Sequence, residues 1–413
     1  MKQKNIAFVT PIYLPAPLYG SDNAVRILAE EFARVGHNVS IITSDAYTPR
    51  YWYDPFFGKK IPKTARNRIN GVRVIRLKSH QLISSFTFML SRFAGRFLPI
   101  TIRNILEIIA SGPYLIGLSE VLGSEQPDVI HCSPFPLNIN KQVIDTVAKF
   151  TKKPKVILTP FFHAHVSTYH NRGLGNLMRH ADVIHAVSNA EKQDIESIFP
   201  EANVKVQVIP LYLRTMNLHG PSELQKDVLK FKQKYHLVRK KIVLIAGLKG
   251  HMKGALDTLR AVEQLHKNDP NILLIAIGHN TVEWNAMKEK IHPESLLDFD
   301  YVDEYTKELL FSACDVFCMP SKSESFGYVY LEAWHKKKPV IAASIGPVQE
   351  LIEKNHAGVM VKYGDRPALE KAIRMLLAQT QKARALGQNG YKVLTEMYNE
   401  KKLFHAYQVL FGV

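Results

Sequence analysis

The chain has 413 residues, 46% of them apolar and 22% charged, the balance of a soluble globular protein of two or three domains. Its three cysteines, Cys132, Cys314 and Cys318, exclude a secreted disulfide framework. No apolar run approaches the roughly 18 residues of a spanning helix, and Asn5 to Thr10 is too short for a signal segment, so a reduced, cytoplasmic protein is expected. The net charge of +17 calls for a polyanionic partner.

Short apolar runs alternate with amphipathic stretches, the pattern of parallel sheets with crossover helices. Ile6 to Thr10 reads as a buried strand, followed by a proline-rich loop from Pro11 to Gly20. Ser21 or Asp22 caps a helix that runs to about Arg34, and Gly36 stops it. Val39 to Thr43, Val72 to Leu77, Val129 to Cys132, Val156 to Thr159, Val183 to Val187 and Val206 to Ile209 supply further strands.

Within this half lies the source of the charge. From Pro55 through Leu106 there are Lys59, Lys60, Lys63, Arg66, Arg68, Arg73, Arg76, Lys78, Arg92, Arg96 and Arg103, with no Asp or Glu. Aromatic residues are interleaved, as in Phe86-Thr87-Phe88 and Phe93-Ala94-Gly95-Arg96-Phe97. Apolar bulk beside positive charge is what a segment lying on an anionic membrane needs. Nucleic acid is not expected as a partner, because no zinc-finger, RNP-type or GxxG pattern accompanies the charge.

Leu211 to Lys240 is polar and lysine-rich and reads as a linker with a helix. A second half restarts at Lys241 to Gly247 and continues through Ile272 to Gly278, Leu297 to Val302, Asp315 to Met319 and Pro339 to Ala343. Gly390 to Leu410 has helical spacing in Val393, Leu394, Met397, Leu403 and Tyr407. The expected fold is therefore α/β, two Rossmann-like doubly wound domains that place a ligand cleft outside the strands' carboxyl ends.

Two loops of the second half carry chemistry. Gly247-Leu248-Lys249-Gly250-His251-Met252-Lys253-Gly254 follows a strand and precedes a helix. Its glycines, Lys249 and Lys253, and a helix start make a cradle for a diphosphate. In Ser321-Lys322-Ser323-Glu324-Ser325-Phe326-Gly327 and the helix after it, Glu324 and Glu332 stand eight apart. Glu324 precedes a helix N-terminus whose N–H groups, from about Ser325 to Tyr328, attract anions and orient sugar hydroxyls. Glu332 sits one to two turns in, and Gly327 permits close approach of a ligand to the backbone.

This segment resembles the Glu-x7-Glu motif of retaining glycosyltransferase family 4, which has the GT-B fold, and the resemblance extends over nearly the whole chain. Asn5 to Pro11, Gly36-His37-Asn38-Val39, Pro127 to His131 and Ala181 to Ser188 are similar to structural segments of that family. The resemblance implies a first domain over 1–210, a second over 211–394, and a helix over about 395–413 that returns to the first. It implies that Glu324 binds hydroxyls of a donor sugar with the Phe326 and Gly327 amides, that Glu332 binds ribose hydroxyls, and that Lys253 binds the diphosphate. Gly20 occupies the family's Gly-Gly loop, and His163, with His165 second, fits a histidine near the sugar's reactive face. The donor is a UDP- or GDP-sugar, with no metal or cofactor, and the acceptor is lipid-linked or a polysaccharide precursor. A peripheral place on the inner face of the cell membrane follows from the basic region. The alternatives are an epimerase or hydrolase on the same fold and a noncatalytic binding protein.

Four departures stand out. Leu248 replaces the family's arginine, with Lys249 the expected substitute, and only Gly20 remains of the Gly-Gly pair. Lys337 stands where the family has glycine, and Gly346-Pro347 replaces a second Gly-Gly pair. Asp298-Phe299-Asp300 has the form of a metal-diphosphate motif but lies in an apolar strand, so that role is not expected of it. Nor is His163-Ala164-His165 expected to bind metal, since no carboxylate or cysteine nearby completes a ligand set.

Overall fold

Runs of Val, Ile and Leu too short and too evenly apolar for helices pair as parallel strands buried on both faces. The computed structural model describes residues 3–18, 20–54, 56, 58–62, 64–93, 97–214 and 220–413. Lys63, Ala94, Gly95 and Arg96 of the basic region, Tyr19 of the proline-rich loop, and 215–219 of the expected linker lie outside them. The chain divides into unit 1, through Leu211 together with Lys401–Val413, and unit 2, Tyr212–Glu400.

Unit 1 contains β1 (Asn5–Val9), β2 (Asn38–Ser44), β3 (Arg68–Ile69), β4 (Val72–Leu77), β5 (Val129–Cys132), β6 (Lys155–Leu158), β7 (Val183–Ala186) and β8 (Val206–Val208). Their order is β3-β4-β2-β1-β5-β6-β7-β8. All neighbours are parallel except β3, which turns back on β4 through Asn70-Gly71, both at positive φ, as a two-residue hairpin requires. Unit 2 contains β9 (Lys241–Ala246), β10 (Ile272–Ile277), β11 (Leu296–Phe299), β12 (Val316–Met319), β13 (Val340–Ala343) and β14 (Gly358–Val361), in the order β11-β10-β9-β12-β13-β14. The strand order reverses between β1 and β5 in one unit and between β9 and β12 in the other, the switch points where doubly wound sheets bind ligands. Both units are the α/β sheets expected.

The last amphipathic stretch is two helices, not one. Thr380–Glu396 belongs to unit 2, and Glu400–Phe411 carries the chain into unit 1. Phe404 and Phe411 close on Phe32 with ring centroids 5.2 and 4.5 Å away, and Phe411 stacks on His131 at 5.8 Å. The departure at Lys337 also has a structural meaning. Lys337 closes helix Tyr328–His335 at φ +54, its N–H on Trp334 O at 2.8 Å and the Lys338 N–H on Ala333 O at 2.9 Å. A side chain there costs about 1–2 kcal/mol. Its Nζ, 4.8 Å from the Tyr391 ring centroid, offsets roughly 0.5–1 kcal/mol of this.

Beneath the returning helix runs a buried polar chain. Ile209 O accepts from His185 Nε2–H at 2.7 Å, His185 Nδ1 from the Thr159 hydroxyl at 2.9 Å, and Thr159 Oγ1 from His131 Nε2–H at 2.7 Å. This leaves His131 Nδ1 without a partner among the described residues. Burial, with neighbouring His185 adding to it, pushes His131 down to about 3 from an ordinary 6.5. Burial pushes His185 down to about 4, against the hydrogen bond to Ile209. Both are neutral when folded, so below about pH 6.5 the unfolded chain binds more protons. Stability is full above that pH and falls as pH drops toward the folded values, by up to about 1.4 kcal/mol per pH unit for each histidine. Urea midpoints measured between about pH 7.5 and 5 are expected to fall less in a His131→Gln variant than in the natural chain, and identical pH profiles would contradict the buried neutral pair.

Candidate functional site

At the β9/β12 switch point two loops leave the sheet side by side, Gly247–Gly254 and Pro320–Gly327. They are held together by backbone. The Lys322 N–H donates to Met252 O at 2.9 Å. Gly254, at φ +67, lies so close to Pro320 that a Cβ would stand 2.3 Å from its carbonyl oxygen. On the other loop Gly327 is at φ +93, and a Cβ there would meet the Tyr330 ring at 2.5 Å. Tyr330 is itself pinned, its hydroxyl donating to Met319 O at 2.6 Å.

This contact sets Lys253 against Glu324, Nζ to Oε2 at 2.6 Å, with side chains 28% and 13% exposed. Around the pair, the N–H groups of His251 and Met252 on one loop, and of Ser325, Phe326 and Gly327 on the other, have no acceptor among the described residues. Phe326 contributes only its backbone to this surface, because its ring is buried against Tyr398, centroids 5.7 Å apart. The helix Tyr328–His335 starts directly after Gly327 and adds its own N-terminal N–H groups. One ammonium, one carboxylate and two sets of open amides thus lie on two adjoining loops. Such groups can hold an anion and hydroxyl groups together.

Glu332, one turn into that helix, receives Lys307 from the helix Glu304–Ala313, Nζ to Oε1 at 2.7 Å. Burial works to lower the Lys307 ammonium, but the carboxylates of Glu332 and Glu304 outweigh it and hold it above its ordinary value. Lys307 engages Oε1 of Glu332 alone, which leaves Oε2 for a ligand. Lys307 has no signature in the sequence beyond its i,i+3 spacing from Glu304.

Lys249 requires a correction. Its side chain is fully buried, with Nζ 2.5 Å from Asp298 Oδ1, 2.7 Å from Phe299 O and 5.4 Å from the Trp284 ring centroid. It points under the loop and cannot also meet a phosphate above it. The physical reason is Asp298, which also accepts from Trp284 Nε1 at 3.1 Å and Lys288 Nζ at 3.0 Å and needs a buried cation. The replacement of the family's arginine by Leu248, exposed at 44%, is thus not compensated by Lys249. Asp298 is spent within the fold, and Asp300 pairs with His279 Nδ1 at 2.9 Å.

Gly20 and His163 belong to unit 1, after the carboxyl ends of β1 and β6. Gly20 opens the helix Gly20–Arg34, and a Cβ there would meet nothing within 4 Å, so the backbone does not demand glycine at this position. His163 is half-buried, its ring 5.7 Å from Tyr169 and 6.1 Å from His165. Its corner is fixed by Glu191, a residue sequence reading missed, which accepts from the Phe162 and Val187 N–H groups, each at 2.6 Å. Burial pushes the Glu191 carboxyl up to about 7 against those two bonds. The available signal was Ser188-x-x-Glu191, a capping box in which Ser188 Oγ accepts from the Glu191 N–H at 3.0 Å.

The basic region is partly structural. Lys60 pairs with Asp45 at 3.0 Å, Arg73 with Glu125, and Arg103 with Glu107 at 3.7 Å, while Arg76 donates to Leu14 O at 2.7 Å. Lys59, Arg66, Arg68, Lys78 and Arg92 are exposed and have no acidic partner among the described residues. The helices Gln81–Phe93 and Ile100–Ile109 pack on each other and leave Leu82, Phe86, Met89, Phe93, Ile102 and Ile105 exposed, Leu82 at 79%. Among the described residues no helix is long and apolar enough to cross a membrane.

Residues 20–211 match the family Glycosyl transferase 4-like domain, and residues 227–393 match Glycosyl transferases group 1. An uncharacterized glycosyltransferase of Methanocaldococcus jannaschii is 24% identical over 86% of this chain and 84% of its own length. A processive diacylglycerol alpha-glucosyltransferase of Acholeplasma laidlawii is 27% identical over 61% of this chain and 72% of its own. Among solved structures, sucrose-phosphate synthase from Thermosynechococcus elongatus superposes with a TM-score of 0.75 at 20% identity, over 99% of this chain and 100% of that one. HepE from Anabaena, solved with UDP and glucose, does so with a TM-score of 0.68 at 18% identity, over 99% of this chain and 100% of that one. At these identities the structural likeness establishes the fold, two parallel-sheet α/β domains shared with GT-B glycosyltransferases.

The two lysines of the first loop should separate on substitution. Lys249→Met leaves Asp298 with Lys288 alone as a cation and is expected to destabilise the chain by about 2–3 kcal/mol. Lys253→Met, at a pair open to solvent, should change stability by less than about 1 kcal/mol yet weaken nucleoside diphosphate binding roughly 10- to 100-fold. Urea unfolding beside calorimetric titration of the nucleotide reads both, and equal stability losses would refute the division of roles.

Proposed function

Since this chain is a glycosyltransferase of the GT-B fold, we propose that it moves a hexose, with retention of configuration and without a metal, from a UDP- or GDP-sugar to a lipid-linked or polysaccharide-precursor acceptor. The observation that carries this reading is the Lys253–Glu324 pair at the meeting of two amide-bearing loops. Uridine is the first base to test, in view of the likeness to HepE solved with UDP and glucose. The diacylglycerol glucosyltransferase relative and the exposed apolar helices support a lipid-linked acceptor.

In this mechanism the ion pair is a placeholder. An arriving diphosphate takes the Lys253 ammonium, which frees Glu324 to accept from hydroxyls of the sugar while the loop amides donate to phosphate. Glu332 accepts from the two ribose hydroxyls through the oxygen that Lys307 leaves open. The bond from the anomeric carbon to the diphosphate oxygen breaks as the acceptor oxygen bonds to the same face, and the departing phosphate takes the acceptor's proton. Gly20 and His163 are assigned to the donor phosphate and to the sugar's reactive face by the resemblance. No enzymic nucleophile is invoked, since Glu324 is a binding group held by a cation.

Thermal-shift measurements with UDP, GDP, ADP and their sugars test the donor site. A ligand at about 100 times its Kd stabilises by roughly 2.7 kcal/mol. One nucleotide family is expected to shift the transition, Glu332→Ala to lose most of that shift, and Glu324→Ala to lose only the increment due to the sugar. Unchanged shifts in both variants would sink the assignment.

Docking on the inner face of an anionic membrane is proposed for the helices Gln81–Phe93 and Ile100–Ile109. Arg92, the exposed unpaired cation of these helices, contributes about 1 kcal/mol near such a surface, and Lys59, Arg66, Arg68 and Lys78 add positive charge to the same unit. Co-sedimentation with phosphatidylglycerol vesicles should exceed that with phosphatidylcholine and weaken with salt. Leu82→Asp with Phe86→Asp should abolish it. Equal binding to both lipids, or full binding by that variant, would rule the surface out.

A further inference from the structure

We propose that His266, His292 and Glu294 form a zinc site in unit 2, apart from the donor loops. One ligand atom from each lies within 4.8 Å of the others. His266 is buried in the last turn of the helix Ala255–Asn268, while His292 and Glu294 are exposed on the turn ahead of β11.

The buried histidine is oriented as a ligand. Its Nδ1 lies 2.7 Å from Ile272 O. A carbonyl only accepts, so the proton is on Nδ1 and the Nε2 lone pair is the one offered. Metal-bound histidines are set by the same kind of second contact.

The opposing turn is stapled to the same helix. Glu263, one turn before His266, accepts from the His292 N–H at 3.2 Å, and Ser295 Oγ lies 2.9 Å from its carboxylate and 2.7 Å from His292 O. Pro293 stiffens the turn between the two exposed ligands. The His266 and His292 rings stand 5.1 Å apart at 33°. A competing contact, from the Glu294 N–H to His292 Nδ1, is long at 3.3 Å and yields to a cation.

Two imidazoles and a carboxylate suit zinc and are a poor set for magnesium or calcium. Ligand atoms about 2.1 Å from one tetrahedral ion stand about 3.4 Å apart. Closing the site from 4.8 Å therefore needs up to about 1.4 Å of approach, which the exposed His292 and Glu294 side chains supply by rotation. The fourth position is left to water.

The role is structural. His266 is eleven residues along the helix from Ala255, roughly 16 Å at 1.5 Å per residue, so the ion stands far from Lys253 and takes no part in sugar transfer. It would clamp the helix's last turn to the turn that feeds edge strand β11. The proposal does not rest on the glycosyltransferase reading.

Calorimetric titration of the full chain with zinc is expected to give one ion per chain, and cobalt to give the visible absorption of a tetrahedral site. His292→Asn with Glu294→Gln should abolish both without changing the circular dichroism, since these side chains are exposed. Glu263→Gln, which loosens the frame, should weaken zinc about 10- to 100-fold. His163→Ala with His165→Ala should leave it intact, as should saturation with nucleotide. Absence of bound zinc, equal binding by the His292→Asn/Glu294→Gln variant, or loss on changing His163 and His165 overturns the proposal.

Discussion

The close approach of Gly254 to the Pro320 carbonyl is the constraint on which the unit 2 site depends. It is a contact between backbones, made possible because β9 and β12 are neighbours and because position 254 has no Cβ. With the Lys322 to Met252 hydrogen bond beside it, it fixes the separation of two loops that are otherwise 66 residues apart, from Gly254 to Pro320. Two features follow from that separation: the reach of Lys253 to Glu324 and the place where the helix that carries Glu332 starts.

Three lysines of this unit show how burial divides similar side chains. Lys253 meets Glu324 at a site that solvent still reaches, where an ion pair is weak and readily exchanged for a ligand. Lys307 is shared between Glu304 and Glu332 and stays paired, holding one oxygen of Glu332 in place. Lys249 meets Asp298 with its side chain shut from water, where exchange would leave a bare charge in the interior. The first is poised for a partner, the second orients a carboxylate, and the third holds the loop down. Sequence alone cannot separate them, because Lys249 and Lys253 are four residues apart in one glycine-rich loop.

Most strands were legible because their apolar runs are short, β-branched and bounded by turn residues, and so was the position of the two loops at strand ends. Two edge strands escaped notice: Gly358–Val361, which is half-buried except at Val361, and the two-residue Arg68–Ile69, whose residues show no apolar pattern although Asn70-Gly71 is a hairpin signal. The break between Glu396 and Glu400 was hidden by apolar spacing that continues across it, and the two helices serve different units. Glu324 and Glu332 were found by their spacing and neighbours. Their partners were not, since Lys307 reaches Glu332 only through the packing of two helices. Glu191 and the His131–Thr159–His185 chain are long-range contacts of the same kind, invisible until the sheet is assembled.

The return of the helix Glu400–Phe411 to unit 1 bears on the order in which the chain acquires structure during synthesis. Unit 2 is one continuous stretch, Tyr212–Glu400, and all its strands have been made before Lys401 is added. Unit 1, though begun first, lacks its last helix until after that, so the faces of Phe8, Phe32 and His131 that Phe404 and Phe411 cover stay wet through most of translation. The half that emerges second is therefore the half that can finish first.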